Sequence, residues 1–331
     1  ETTNLVLCRM SVEEGIHQLL PGAEILYAKG CDYADSRWPL SEILPEPPNE
    51  KEKAQIDEAV KLAGQAEAVV VVLGESDAMV GESKSRTSLD LPGFQNDLVR
   101  ALAGTGKPIV AVILGGRPLT INLVQAKVPA VLVAWFPGEY GGQAVAEALF
   151  GDLNPGGKLP VTFPRSVGQI EFNFPAKPAS QAGMGKGEDP NGAGNSLVTG
   201  ALYPFGHGLS YTEFSYANLK VNPATIRPGE EVEVSVEVKN SGKTAGDEVV
   251  QLYLKDLLAS VIPYEKVLRG FERISLKPGE KKTVRFKLGR ADMELIDSRG
   301  QRTVEPGDFV VEAGSSSTDI RQSTKLVVSS P

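Results

Sequence analysis

The sequence has only two cysteines and two histidines in 331 residues. Cys8 and Cys31 cannot build a disulfide framework or a four-thiolate zinc site. His17 and His207 lie far apart in the chain and add little to a transition-metal site. Neither a metal nor a cofactor is expected. Long apolar runs are also lacking. Stretches such as 68–73 and 109–114 are six residues long, whereas a membrane span needs about 20, so a membrane is not an expected partner. Positive charge is in deficit: 34 Lys and Arg stand against 42 Asp and Glu, a net charge of −8, and the basic residues are scattered among carboxylates. Binding a phosphate backbone needs basic patches, which excludes nucleic acid as the main partner. The opening ETTNLVLCRM has no initiator methionine and no signal-peptide core, and reads as a cut inside a longer polypeptide.

What is present is a globular composition, 41% hydrophobic and 23% charged, over a length that suits two domains. In the first half, Ile56, Ala59, Val60 and Ala63 repeat at three and four residues, predicting a helix over 55–66. The run 68–73 is β-branched without alternation, as in a strand covered on both faces. Asp90 followed by Pro92 predicts a helix start, with the helix running through Leu102 to Gly104. Strands at 108–114 and 130–135 and helices near 119–125 and 142–150 complete the rhythm. Strand and helix alternating in this way imply a layered α/β domain with a largely parallel sheet.

Residues 173–200 are rich in Pro, Gly, Ala, Asn and Ser and carry no periodicity. A stretch of this kind is a functional loop or a linker. Beyond it the period is two: Val232, Val234, Val236 and Val238 alternate with polar residues, as do Val250, Leu252 and Leu254, and Val284, Phe286 and Leu288. Tyr253 and Phe286 are expected in the core. Pro-Gly-acidic triplets at 228–230, 278–280 and 306–308 predict three turns. About seven strands in this space predict a sandwich of the fibronectin type III or immunoglobulin kind. The expected division is 1–165 for the α/β domain, 166–211 for a Pro/Gly-rich linker and 212–331 for the β domain.

In an open α/β sheet, function gathers at the carboxyl ends of the strands. The segment 74–86 follows the first clear strand and is long for a strand-to-helix loop. It carries Glu75, Asp77 and Glu82 beside Lys84 and Arg86, residues suited to general acid–base work or simply to a solvated surface. Gly115-Gly116-Arg117-Pro118 could cradle an anion, but it lacks the lysine of a phosphate loop and reads as a tight turn. His207, among aromatics and glycines, reads as a packed histidine in a bend. Ser210 has no partnered His and Asp in view.

Taken together, GES…GESKSRTSLDLPGFQ (74–95), WFPGEYGGQAVAEALFGDLNPGGKLPVTFP (135–164) and YPFGHGLSYT (203–212) resemble glycoside hydrolase family 3. VQLYLKD (250–256) and LRGFERISLKPGE (268–280) resemble the fibronectin type III-like domain that closes many members. The resemblance implies a retaining, exo-acting β-glycosidase, most simply a β-glucosidase. Its aspartate nucleophile would lie on a (β/α)8 barrel of which no motif is found here, and this chain alone should be inactive. It also implies Glu82 as acid/base, because Glu82-Ser83-Lys84-Ser85-Arg86 precedes Leu89-Asp90-Leu91-Pro92 in the family's pattern. Glu75 is the rival, with anchoring of the loop base as its alternative role. Arg86 is expected to orient the loop through Asp77 or a backbone carbonyl. The implied partners are the barrel portion and an oligosaccharide, with a homodimer left open. The implied setting is secreted or periplasmic, in a bacterium, where Cys8 and Cys31 could pair or stay free. Two other readings compete: a β-xylosidase or α-arabinosidase of the same family, and a non-catalytic carbohydrate-binding or scaffold piece.

Overall fold

A computed structural model describes residues 10–169, 173–177 and 200–330. The chain divides into two compact units: Glu1–Leu153 with Pro164–Gln169, and Asn154–Phe163 with Ile170–Pro331.

The first unit is built on a parallel sheet in the order β1 (Val69–Gly74), β2 (Ile109–Leu114), β3 (Ala130–Trp135). Its central strand β2 is covered on both faces, with Ala111 and Val112 fully buried, whereas Val72 on the edge strand β1 is exposed. Five helices accompany the sheet: α1 (Val12–Leu19), α2 (Glu50–Gln65), α3 (Gln95–Ala103), α4 (Asn122–Lys127) and α5 (Gly141–Phe150). Helix α2 starts five residues before the expected position, because Asn49 and Glu52 form a capping box, each side chain accepting the other's backbone N–H. Helix α3 starts at Gln95 and not at Pro92. Gly93 takes a left-handed φ of +59° that no helix continues through, and Asp90 accepts from the Thr120 hydroxyl instead of capping.

Helix α1, which the apolar spacing did not suggest, carries its own capping box on Ser11 and Glu14. It packs on α5 through glycines. A Cβ on Gly15 would overlap the Gly142 carbonyl, and one on Gly142 would overlap the Ser11 carbonyl. The obstacles are backbone, so neither helix can yield without moving as a body. Gly142→Val should therefore destabilise this unit by about 3 kcal/mol, the upper end of overpacking costs. Both tryptophans, Trp38 and Trp135, lie in this unit, so the denaturation midpoint read by tryptophan fluorescence reports it directly. An unchanged midpoint would show that the helices do not meet through these glycines.

The second unit is a sandwich. One sheet runs β5 (Thr225–Ile226), β13 (Ile320–Val328), β12 (Gly307–Gly314), β7 (Gly246–Asp256), β8 (Val267–Leu276). The other runs β4 (Phe214–Asn222), β6 (Val232–Asn240), β9 (Lys281–Leu288). A short helix α6 (Arg290–Met293) and a ribbon of β10 (Leu295–Ile296) with β11 (Arg302–Thr303) follow β9. Val234 and Val236 of β6 meet Leu252, Val250 and Val311 from the facing sheet in the core, with Phe286 at its margin. Gly229 and Gly279 adopt the left-handed φ expected of their turns, but Gly307 does not, because it enters β12 directly.

Strand β7 is buried on both faces, which its simple alternation did not foretell. Tyr253 and Gln251 point away from the inter-sheet core and are covered by residues of the Pro/Gly-rich stretch. Phe174 stacks on Phe205 at 4.6 Å and meets the Tyr253 ring edge-on at 5.6 Å. The Gln251 amide donates to the carbonyls of Gly206 and Ser315 at 3.1 and 2.7 Å. His207 stacks on Tyr203 at 5.2 Å, and its burial, then the Lys158 charge, hold its pKa below the ordinary value. Residues 178–199, the greater part of the expected loop, lie outside the described residues. Cys8 does as well, and with it any pairing to Cys31. Burial pushes the half-buried Cys31 thiol up to about 11.

Candidate active site

The loop that follows β1 is long, yet it is pinned at its base. Gly74 leaves the sheet at φ +136°, with its Cα against the Leu114 carbonyl, a contact only glycine permits. Its N–H donates to Gln95 Oε1 at 2.7 Å, while Gln95 Nε2 donates to the carbonyls of Gly74, Pro92 and Tyr33 at 2.8, 3.1 and 3.2 Å. One buried amide side chain thus ties both ends of the 75–92 excursion to the start of α3.

Above this base lies a buried chain of charges. The Glu75 side chain is 0% exposed and receives Arg86 Nη1 at 2.8 Å and Arg117 Nε at 3.1 Å. Arg86, itself 1% exposed, turns its Nε and Nη2 to Glu42 Oε1 at 2.8 and 2.5 Å, and Nη2 also donates to the Asp90 carbonyl at 2.9 Å. Glu42 takes further bonds from the Thr87 N–H and hydroxyl and from the Trp38 indole. Burial raises its pKa, but the bonds from Thr87 and Arg86, the Arg86 charge and the Trp38 bond together outweigh burial and hold the carboxyl below its usual value.

The loop tip projects from this scaffold. A 3₁₀ turn, Asp77–Met79, buries Met79, and the chain then reverses through Gly81 at φ +123° and Ser83 at φ +60°. Lys84 N–H closes the turn on the Gly81 carbonyl at 3.2 Å. Glu82 sits at this tip, exposed, and no hydrogen bond or ion pair occupies its carboxylate among the described residues. The three loop carboxylates differ in place: Glu75 is enclosed by two guanidiniums, whereas Asp77 and Glu82 are both exposed, Asp77 in the 3₁₀ turn with its backbone carbonyl bonded to the Val80 N–H, and Glu82 at the tip. Arg86 bonds to Glu75, Glu42 and the Asp90 carbonyl; Asp77 is not among its partners.

Comparison with known proteins gives this arrangement its context. The sequence matches the family model described as "Glycosyl hydrolase family 3 C-terminal domain" over residues 3–211. The chain belongs to glycosyl hydrolase family 3. A second model, "Fibronectin type III-like domain", matches residues 248–317, within the sandwich. Among relatives, a β-xylosidase of Formosa agariphila is 43% identical over 89% of this chain and 38% of its own length. A periplasmic β-glucosidase of Salmonella typhimurium is 41% identical over 91% and 40%. Among solved structures, a β-glucosidase of Erythrobacter marinus superposes with a TM-score of 0.85 at 36% identity, over 97% of this chain and 43% of that one. The chain thus spans about two fifths of the length of these relatives.

Beside Glu75 and Arg86, the loop is held by residues that the sequence reading did not single out for a role. Glu42 lies outside the matching motifs, Gln95 closes the 74–95 motif without a role of its own being read for it, and Arg117 lies in a segment read as a turn. Among the described residues no cluster of three His, Cys, Asp or Glu could hold a metal ion, and no helix is long and apolar enough to cross a membrane.

Proposed function

We propose that this chain carries the acid/base half of a retaining β-glycosidase, with Glu82 as the proton donor and acceptor. One observation carries the reading: Glu82 stands exposed and unpaired at the tip of a loop whose base is fixed, whereas Glu75 is enclosed by two guanidiniums and Asp77, though also exposed, lies in the 3₁₀ turn before the tip. An aspartate on a (β/α)8 barrel portion would attack the anomeric carbon while Glu82 protonates the departing oxygen. Glu82, then ionised, would take a proton from the water that releases the sugar. Retention requires the two carboxyl groups to stand roughly 5–5.5 Å apart. The substrate is a terminal β-D-glucosyl residue of an oligosaccharide or aryl glucoside. β-Xylosides are the second choice, since relatives of both names align over nine tenths of the chain. A periplasmic relative supports a secreted or periplasmic setting.

The test is hydrolysis of 4-nitrophenyl β-glucoside and β-xyloside by this chain alone and by the chain joined to its barrel portion, with product stereochemistry read by NMR. Turnover with retention is expected only with the barrel, and faster on the glucoside. Turnover by this chain alone, or inversion, would overturn the two-carboxylate reading.

A further inference from the structure

The pinned base does not by itself fix the tip that bears Glu82. Arg86, Glu75 and Glu42 act at the two roots of the loop, around residues 75 and 86–90. Between them the tip 80–83 runs through two residues with left-handed φ, a geometry with few backbone bonds of its own. A single side chain reaches both of its flanks. Arg117 Nη2 donates to the Met79 carbonyl at 2.7 Å and to the Lys84 carbonyl at 3.3 Å, while Nε stays on the Glu75 carboxylate. The residue before it leaves no slack: a Cβ on Gly116 would lie 2.5 Å from Val80 Cγ1 and 3.0 Å from Phe136 Cε2. The exit of β2 is therefore laid flat against the first residue of the tip, and the next side chain closes over both ends of it.

We propose that Arg117 is a positioning residue: its guanidinium clasps the 80–83 tip and so sets where Glu82 stands relative to the sheet. The Gly-Gly-Arg-Pro segment is then neither an anion cradle nor an idle turn. Its glycine permits the approach and its arginine holds it. The Glu75 carboxylate orients that arginine, so the two roots and the tip share one buried carboxylate. The clasp is a statement about the loop, whereas its effect on catalysis rests on the acid/base reading of Glu82.

Two readouts separate those levels. Hydrogen exchange of the full chain, followed by mass spectrometry, reports the amides of Val80 and Lys84, whose bonds to the Asp77 and Gly81 carbonyls close the tip. In Arg117→Met these amides should exchange about tenfold faster, the consequence of losing bonds to a charged donor. Arg117→Lys, which retains one donor to the carbonyls, should fall between, and tryptophan fluorescence should confirm that both variants remain folded. Unchanged exchange in Arg117→Met would overturn the clasp, whatever Glu82 does. The second readout is kinetic, in the barrel-bearing enzyme. A misplaced acid should lower kcat on poor leaving groups by about 10²-fold, with KM little changed and activated aryl glycosides largely spared. Faster exchange without that leaving-group dependence would overturn the link to Glu82. A Glu82 variant that itself lacked leaving-group dependence would mark the acid/base reading as the part that failed.

Discussion

Glu82→Ala, in the enzyme that unites this chain with its barrel portion, should lose about 10²–10⁴-fold in turnover of glycosides with poor leaving groups, the range general acid catalysis supplies. Aryl glycosides whose phenolate departs without a proton should suffer far less in the first step, because no acid is needed there. Deglycosylation then limits them, since the same carboxylate no longer activates water. Azide, which needs no general base, should enter the gap left by the missing side chain and restore turnover, with a β-glycosyl azide as product. The contrast that makes the assignment sharp is Glu75→Gln. Glu75 is buried between Arg86 and Arg117, so its loss should lower stability and activity together, with a leaving-group dependence no larger than that of Arg117→Met and without azide rescue. Equal losses on both substrate types in Glu82→Ala, unrescued, would remove Glu82 from the reaction.

The elements were legible where one physical signal dominated. β1, β2 and β3 stand within a residue or so of the β-branched runs, because a buried parallel strand has little choice but an unbroken apolar stretch. The alternating strands of the sandwich were equally plain. Boundaries failed where a local contact competed with the pattern. Asp90 looks like a helix cap, but Thr120, thirty residues away, takes its carboxylate, and Gly93 breaks the start. Pro306-Gly307-Asp308 looks like its two sister triplets, yet strand pairing with Val327 and Val328 draws it straight into β12. Of the site, the motif around Glu82 and Arg86 and an anchoring role for Glu75 were visible, and the contributions of Glu42 and Arg117 were not. Glu42 lies 44 residues before Arg86 in a segment with no periodicity, and Arg117 lies 42 after Glu75. No spacing rule connects such residues, because the sheet and the fold of 20–49 bring them together.

Arg86→Met should be the most damaging single change to the first unit. Arg86 links two carboxylates while 1% exposed, and Glu75 and Glu42 are 0% and 7% exposed at their side chains. A buried pair contributes little net stability over an apolar replacement of the whole set. Removing one partner is different, because the remaining charges keep their desolvation cost without their compensation. The expected loss is about 3–5 kcal/mol, seen as a lower denaturation midpoint in tryptophan fluorescence at pH near 7. The sign of its pH dependence follows from Glu42. Its carboxyl is held below the ordinary value of 4.5 in the folded protein, so its contribution is fully present above that value and is lost as pH falls through the lower folded one. In Arg86→Met, burial still raises the Glu42 pKa while the Arg86 bond and charge that opposed it are gone, so protonation costs the variant less stability than it costs the parent. The stability gap between the two proteins should therefore be widest near neutrality and narrow as the pH approaches 4. A gap that stays constant across that range would mean that Arg86 acts by packing its side chain and not by pairing its charge.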